Sequence, residues 1–327
     1  MKVLFLYRGK SEAGDNRVVV TQGRSLEAAG VEIDYFPLTG RGPGSYLRAI
    51  SDVRRRLGSS GADIVHAHYG ISGFAGWLAA GRRPVVVSFM GSDLLGSQSS
   101  RGGITAGSRL VSLFSIVLAR WCYSLSVVKS FPMREKLLRN TPCAVIPNGV
   151  DIRAFCPSDR LGARFQLNLD PDEYLVLFPS GRDNPEKNFA LASAAVGRLG
   201  ERGFRLLEVN NAGREEMNLF FNAADMLLVT SFHEGSPNVV KEALACGCPV
   251  VSTDVGDIAW LFGQTPGHFL SVSDAAEMSV AIEAAARFRR EHCFTTGRER
   301  IMQLGLDSVT VAGIIKDHYS RLIAGKK

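Results

Sequence analysis

Short apolar runs alternate with helical stretches along the whole chain, and this alternation restricts the fold more than any other feature. Runs of four to seven residues such as Val3–Tyr7, Ile64–His68 and Tyr174–Pro179 are separated by segments with helical spacing of apolar residues. Strands buried on both faces have continuous apolar sequences, and helices between them produce parallel sheets. We predict an α/β protein with two doubly wound, Rossmann-like domains that face each other across a cleft.

The length of 327 residues suits two domains of ordinary size. Turn-forming residues at Pro147–Gly149 and at Pro157-Ser158 indicate a linker between them. We expect a first domain over 1–152 and a second over 153–306. Residues 307–327 are expected to form a helix that crosses back to the first domain, with Val309, Ala312, Ile315 and Tyr319 on one face.

The composition indicates a cytoplasmic globular protein. Six cysteines are dispersed without a Cys-x-x-Cys pair, which is typical of reduced thiols in the cytosol. The first apolar run is too short for a signal peptide, and no apolar run reaches the roughly 18 residues of a membrane span.

The charge is distributed unevenly between the two halves. Residues 1–150 contain 19 Lys and Arg against 9 Asp and Glu, whereas the remaining residues contain 19 against 23. A basic first half suggests an anionic partner, either nucleic acid or an anionic membrane surface, and an unspecific solvated surface is the alternative. Because no nucleic-acid motif is present, the membrane is favoured, as a peripheral site on its inner face.

The helix expected over Ser108–Cys122 is apolar on most faces and has basic neighbours. It is either a surface that meets the bilayer and admits a lipid-linked acceptor or a buried helix of the sheet sandwich. The basic neighbours are Arg101, Arg109, Arg120, Lys129, Arg134, Lys136 and Arg139.

The segment His233–Gly247 places two carboxylates around a predicted helix start. Ser236 is the expected N-cap, Pro237 suits the first helical position, and Gly247 ends the helix. A helix start attracts phosphate, so Glu234 and Glu242 would flank a bound anion. The alternative is an ordinary strand-to-helix turn with two solvated glutamates.

A second polar segment follows the strand that ends near Phe178. Gly181 allows close backbone approach, and Arg182 and Lys187 can both reach one diphosphate, Arg as a fork and Lys as a point charge. The alternative is a polar loop with solvated cations.

With these motifs the chain resembles the retaining glycosyltransferases of family 4, the group 1 transferases, which have the two-domain GT-B fold. The resemblance is close in the second half and loose in the first. It is carried by Gly181-Arg182 with Glu186-Lys187-Asn188, by Asn222–Asp225, by Glu234 with Glu242, and by Ala245–Ser252.

The resemblance implies a role for each matching residue. Arg182, Lys187 and Glu234 would be catalytic, with the two cations on the donor diphosphate and Glu234 near the reacting face of the sugar. Glu242 would bond the ribose hydroxyls, and the base would lie against the backbone near Asn211–Arg214. The residues that it places around the donor are Gly14, Gly181, Arg182, Lys187, Glu234, Gly235, Ser236, Pro237, Asn238, Val239, Val240 and Glu242.

The first half should bind the acceptor, and there the match to the family is weaker. Met90 stands where many members have a His, which puts a histidine role at that point in doubt. His68 and Asp93 remain as acceptor-side candidates, and a structural histidine is the alternative for His68 and the better one for His66. We expect neither a cofactor nor a divalent metal, and we interpret Asp170-Pro171-Asp172 as a surface loop.

The predicted function is retaining transfer of a sugar from a nucleotide-diphosphate donor, a UDP-sugar by preference, to a hydroxyl of a glycan or lipid-linked acceptor. The implied pathway is synthesis of a cell-surface polysaccharide or glycolipid, without a nucleic-acid partner. The alternatives are a nucleotide-sugar epimerase or hydrolase of the same fold and an inactive nucleotide-sugar-binding protein.

Overall fold

The computed structural model describes residues 1–9, 16–40, 43–97, 103–200 and 202–325. In chain order the strands are β1 Lys2–Arg8, β2 Glu32–Leu38, β3 Ile64–His68, β4 Val85–Ser88, β5 Leu125–Val128, β6 Cys143–Val145, β7 Tyr174–Phe178, β8 Phe204–Glu208, β9 Met226–Val229, β10 Val250–Thr253 and β11 His268–Ser271. These strands lie within a few residues of the runs expected from the sequence.

The helices lie between the strands and after the last one. They are α1 Arg17–Ala28, α2 Pro43–Ser60, α3 Gly70–Ala80, α4 Ser92–Leu95, α5 Ala106–Trp121, α6 Phe131–Glu135, α7 Arg160–Gln166, α8 Phe189–Gly197, α9 Arg214–Ala223, α10 Asn238–Ala245, α11 Ile258–Phe262, α12 Ala275–His292, α13 Gly297–Gln303 and α14 Ser308–Ala324. A 3-10 helix at Pro185–Lys187 precedes α8.

The chain forms two compact units, residues 1–149 with 308–327 and residues 150–307. Unit 1 has a parallel sheet of order β2-β1-β3-β4-β5-β6, and unit 2 has one of order β11-β10-β9-β7-β8. The expected boundaries need correction by one to three residues, because Val150 pairs with Asp307 and bonds to Leu306, which places 150–152 and 307 in unit 2. The predicted fold class, two doubly wound parallel sheets, is confirmed.

The C-terminal helix α14 completes the core of unit 1. Ala312, Ile315 and Tyr319 are buried there together with residues of β1 and β3, and Lys316 Nζ donates to the carbonyl of Ala29 at 2.6 Å. Val309 was expected on the same face but is exposed.

Helix α5 has one buried and one exposed face. Ser112, Ser115, Leu118 and Ala119 are buried toward the unit, as expected of a helix covering a sheet. The opposite stripe is apolar and exposed, so the alternative of a buried helix of the sheet sandwich holds for one face of α5 only. This stripe, here called the α5 apolar surface, consists of Leu110, Leu113, Phe114, Val117 and Trp121.

Two further expectations concern the thiols and the membrane. All six cysteines are unpaired, and Cys246 and Cys248 are buried. Within the residues that the structure describes, no helix is both long enough and apolar enough to cross a bilayer.

Candidate active site

The sheet of unit 2 directs the two sequence motifs to one place. Strands β7 and β9 are neighbours, and the strand order reverses between them, since β8 lies on one side and β10 on the other. Crevices at such reversals, outside the carboxyl ends of the strands, are where doubly wound sheets bind ligands. The segment with Arg182 and Lys187 follows β7, and the segment with Glu234 follows β9.

Lys187 and Glu234 form an ion pair at this edge. The ammonium donates to Glu234 Oε1, and the same oxygen accepts from Ser231 Oγ at 2.8 Å. The Lys187 side chain is 31% exposed and that of Glu234 14%, so both remain accessible to a ligand. The first sequence motif therefore meets the second through a charge-assisted hydrogen bond.

Backbone contacts hold the two segments together around this pair. Thr230 Oγ1 donates to the carbonyls of Lys187 and Asn188 at 2.8 and 3.0 Å, and the N–H of Phe232 donates to the carbonyl of Glu186 at 3.0 Å. The positions of Lys187 and Glu234 are thus fixed by the chain as well as by their charges.

Arg182 is the more exposed of the two cations. Its Nε donates to Glu208 Oε2 at 3.1 Å, its guanidinium lies 5.2 Å from the centre of the Phe189 ring, and 65% of its side chain is exposed. A Cβ at Gly181 would lie 2.8 Å from Nδ2 of Asn210, so glycine permits the close approach of that amide. Most of the guanidinium edge stays available to an anion.

Helix α10 begins one residue later than expected. Pro237 is the N-cap and Asn238 the first helical residue, and no side chain caps the helix. Ser236 was predicted to be the cap, but its Oγ accepts from Lys241 Nζ at 3.1 Å. The first turn, Asn238–Val240, is separated from Glu234 and Gly235 by only Ser236 and Pro237.

Glu242 lies inside α10 and is largely enclosed. Burial raises the pKa of this carboxyl to about 7, against the opposing influence of Lys241 and Arg214. The segment Asn211–Arg214 follows β8 at the same edge of the sheet and ends on Arg214, the first residue of α9. Glu242, the start of α10 and the segment expected beside the nucleotide base therefore lie at the carboxyl-terminal edge of the unit 2 sheet.

The sequence analysis did not identify three residues that contact the Glu234–Pro237 segment. They are Lys241, Asp257 and Gly256. Lys241 is buried, and burial lowers its pKa to about 8, while burial raises the pKa of Asp257 to about 6. A Cβ at Gly256, where φ is +65°, would lie 2.8 Å from the Gly235 carbonyl oxygen. The available signal was a lysine directly after the apolar pair Val239-Val240 within the predicted helix.

The two histidines of β3 are both buried in unit 1. His66 Nε2 lies 2.9 Å from Ser88 Oγ, and its Nδ1 is hydrogen-bonded to the hydroxyl of Tyr319, so His66 is structural. His68 is 2% exposed, its ring lies 4.5 Å from that of His66, and within the described chain its nitrogens have no hydrogen-bond partner. Burial lowers the pKa of His68 well below its usual value, so it is neutral at pH 7.

Asp93 organises a loop. Its carboxylate accepts from the N–H groups of Gly70, Met90 and Gly91 at 2.9 to 3.0 Å, and the side chain is completely buried. The assignment of Asp93 to the acceptor side is therefore corrected: both oxygens are occupied by backbone. Gly14 lies outside the described residues.

The Asp170–Asp172 segment is an exposed turn before β7. Asp170 Oδ1 accepts from the N–H of Asp172 at 2.8 Å, and the carbonyls of Asp170 and Pro171 accept from the buried Arg164. Across the described ranges, no three His, Cys, Asp or Glu side chains come close enough to hold a metal ion together.

Two family models match the chain, one in each half. Residues 176–287 match the model of glycosyl transferases group 1, and residues 3–149 match that of the glycosyl transferase 4-like domain. The first match contains Arg182, Lys187, Glu234 and Glu242.

Curated relatives are about 27% identical to this chain over the aligned residues. A Bacillus subtilis protein named as a teichuronic acid biosynthesis glycosyltransferase, TuaC, is 27% identical over 70% of the chain and 62% of its own length. A D-inositol 3-phosphate glycosyltransferase of Segniliparus rotundus is 27% identical over 80% of the chain and 67% of its own length. The chain thus spans about two thirds or less of the length of these two relatives.

Solved structures show the same fold. Sucrose-phosphate synthase from Thermosynechococcus elongatus superposes with a TM-score of 0.81 at 18% identity, covering 99% of both chains. HepE of Anabaena, solved in complex with UDP, superposes with a TM-score of 0.74 at 20% identity over 98% of this chain and 100% of its own. The fold is GT-B, and the chain belongs to the group 1 glycosyltransferases.

Proposed function

We propose that the chain transfers a sugar from a nucleoside diphosphate donor, a UDP-sugar, to an acceptor hydroxyl with retention of anomeric configuration. The observation that carries this proposal is the meeting of Lys187 and Glu234 at the switch point of the unit 2 sheet, between Arg182 and the start of α10. Two cations, a helix start and two carboxylates lie at the same edge of this sheet, a set of groups that suits a nucleotide diphosphate.

The chemistry of donor cleavage suits these groups. As the glycosyl bond breaks, negative charge develops on the leaving diphosphate, and Arg182, Lys187 and the N–H groups of α10 stabilise it. Glu242 accepts hydrogen bonds from the ribose hydroxyls, and Glu234 lies beside the sugar. Because these cations neutralise the diphosphate, we propose that turnover requires no divalent metal and no cofactor.

Retention is part of this proposal because the donor-side motifs resemble those of retaining transferases. An inverting transferase needs a side-chain base for the acceptor hydroxyl, and His68 of unit 1 is the histidine considered for the acceptor side. His68 is buried, and its conjugate acid is disfavoured. In the mechanism we propose, the acceptor attacks the face from which the leaving group departs, and the donor phosphate takes the acceptor proton.

Uridine is proposed as the nucleoside by analogy. HepE, which shares the fold over nearly the full length of the chain, has been solved with UDP and with UDP-glucose. A UDP donor would place its base against the backbone of Asn211–Arg214 and its ribose near Glu242.

We further propose that unit 1 binds a glycan or lipid-linked acceptor at an anionic membrane on the cytoplasmic side, in cell-surface polysaccharide or glycolipid synthesis. The α5 apolar surface supports this: its side chains are 44 to 71% exposed and lie three or four residues apart on one helix face. The ring centre of Phe114 also lies 5.4 Å from that of Phe74, and Phe74 stacks on the exposed Trp77 of α3.

Basic side chains border this surface. On α5 itself Arg109 is exposed, and the Arg120 guanidinium lies 4.3 Å from the centre of the Trp121 ring; Lys136 and Arg139 are exposed in the segment that follows β5. Apolar side chains with basic neighbours are the composition that anionic lipid interfaces bind. Lys129 was expected among these residues but is 3% exposed, so it is not part of the surface.

Hydrolysis of the donor in the absence of acceptor tests the reaction. The protein is incubated with UDP-glucose and other UDP-sugars, with EDTA present, and the released sugar is followed by NMR before it mutarotates. Release of the α-anomer from an α-linked donor supports retention, and release of the β-anomer contradicts it. A C2 epimer would indicate an epimerase, and the absence of any turnover with every donor would indicate a binding protein.

A further inference from the structure

Unit 2 has a cavity of about 450 Å³ that is not part of the candidate active site. It lies between the segment Pro157–Arg160 and the end of α12, where Arg289, Arg290, Cys293 and Phe294 line it. Its lining contacts the amino-terminal edge of the sheet: Arg290 lies over the ring of Tyr174, the first residue of β7, and Arg160 bonds to Asp225, which precedes β9. The candidate active site lies at the opposite, carboxyl-terminal edge of the same strands.

The lining carries a surplus of positive charge. It contains the guanidinium groups of Arg160, Arg289 and Arg290 against the one carboxylate of Asp159. That carboxylate already accepts from the N–H groups of Leu161 and Gly162 at the start of α7.

Asp225, the carboxylate that pairs with Arg160, does not remove this surplus of positive charge. Asp225 is buried, and it bonds Arg160 at 2.7 Å and the fully buried Arg164 at 2.9 Å. One negative charge is thus shared by two arginines.

Arg289 and Arg290 have no carboxylate partner among the described residues. Arg289 is 4% exposed and donates to the carbonyls of Asn222 and Cys293, while its Nε has no acceptor. The Arg290 guanidinium lies 4.0 Å from the centre of the Tyr174 ring, a contact that leaves its N–H edge available. Uncompensated charge near a partly apolar cavity favours binding of an anion.

Phosphate is the anion that fits these donors best. Arginine forks bind phosphate oxygens in pairs, and the cavity volume is that of a small-molecule site rather than of a single ion. Phe294 and Pro157 give the same cavity an apolar wall. We propose that this cavity binds a small phosphate-bearing organic molecule, with the phosphate on Arg290 and Arg160 and the organic part against Phe294.

The reactivity of the Cys293 thiol can be used to measure whether the cavity is occupied. It is the exposed cysteine of the chain, and it lines this cavity, whereas Cys246 and Cys248 are buried. A bound molecule should shield it from alkylation. Inorganic phosphate and phenyl phosphate are the two probes, since they share the anion and differ in the apolar group.

The experiment measures the rate of Cys293 alkylation by iodoacetamide in the full-length protein, by peptide mass spectrometry. A probe at about ten times its dissociation constant should slow the reaction about tenfold, because the rate follows the unoccupied fraction. Phenyl phosphate should act at lower concentration than inorganic phosphate. Arg290→Gln should abolish most of the protection, Arg290→Lys should retain part of it, and Arg182→Ala should leave it unchanged.

Titration calorimetry with the same probes and variants measures binding directly. It therefore detects a bound molecule that does not shield the Cys293 thiol. Binding to wild type that Arg290→Gln weakens at least about tenfold, with Arg182→Ala unaffected, supports the proposal. Absence of both heat and protection overturns it. Binding that Arg182→Ala abolishes and Arg290→Gln does not would place the anion at the candidate active site and would also overturn it. Neither result depends on the transferase reaction.

Discussion

The ammonium of Lys187 is hydrogen-bonded to the carboxylate of Glu234 across 47 residues of sequence. One residue follows β7 and the other follows β9, so the pair joins the two segments at the switch point of the sheet. In this state the cation proposed for the diphosphate is already oriented by the carboxylate proposed for the sugar. Donor binding would let Lys187 contact phosphate while Glu234 keeps its bond from Ser231.

This pairing predicts coupled energetics for the two side chains. Lys187→Met leaves Glu234 partly enclosed without its cation, so we expect a loss of about 1–3 kcal/mol in the free energy of unfolding. The double variant with Glu234→Gln should lose less than the two single variants together. Urea denaturation of the four proteins measures this, and strictly additive losses would show that the pair is not coupled.

Arg182 is expected to act mainly in the transition state. Because it is 65% exposed, Arg182→Ala should leave the free energy of unfolding nearly unchanged and should lower kcat by about 10²-fold or more with a smaller effect on KM. Glu208→Gln is the matched control, since it removes the partner of Arg182 and keeps the cation. An unchanged kcat in Arg182→Ala would remove its proposed role.

Glu242 should make stability depend on pH. Its pKa is about 7 in the folded protein against 4.5 for an ordinary Glu, because burial disfavours the charged form. The folded state therefore binds more protons between these values, and the stabilising contribution of protonated Glu242 is present below pH 4.5 and lost as the pH rises through about 7. Urea denaturation from pH 4.5 to 8 should show a smaller decline for Glu242→Gln than for wild type, and identical pH profiles would contradict the assignment.

Arg164 should be among the most important side chains for stability. It is 1% exposed, pairs with Asp225, and donates to the carbonyls of Ala223, Asp170, Pro171 and Glu173. Arg164→Met should cost about 3–5 kcal/mol in the free energy of unfolding, because the buried Asp225 loses one of its two arginine partners and keeps Arg160 and the N–H of Leu175. Arg205→Met, which breaks an exposed pair with Glu173, should cost less than about 1 kcal/mol. Equal losses in both variants would be incompatible with this account.

The α5 apolar surface should bind anionic vesicles. Combined Leu113→Ser and Trp121→Ser substitutions should weaken pelleting with vesicles of phosphatidylglycerol and phosphatidylcholine by about tenfold or more, since each side chain loses apolar burial in the interface. Phe165→Ser is the control, because Phe165 is 87% exposed on unit 2 and is not part of that surface. If wild type does not pellet even at low salt, the membrane proposal is wrong.

The sequence was most informative where a short local pattern determines the structure. Continuous apolar runs predicted the strands of both sheets, because strands buried on two faces leave little other composition. The motif residues after β7 and β9 were placed correctly at strand ends, and parallel pairing then brings those ends together. Helix α5 was only half predicted, since composition does not say which of its apolar faces is covered.

The hydrogen-bond partners of two polar side chains were not readable from the sequence. Asp93 was assigned to the acceptor side, yet its carboxylate holds three backbone N–H groups of its own loop and of α3. Ser236 has the composition of an N-cap but accepts from Lys241 instead. Both differences depend on tertiary packing that competes with a local preference.

Calorimetric titration of the wild-type protein with UDP, GDP and ADP, without added metal, tests the central claim most directly. We predict selective binding of UDP that Glu242→Ala weakens by about 1.5–3 kcal/mol and that Lys187→Met also weakens. Arg290→Gln, at the opposite edge of the sheet, should bind UDP as wild type does. Binding of none of the three nucleotides, or UDP binding that is insensitive to Glu242 and Lys187, would contradict the proposed donor site.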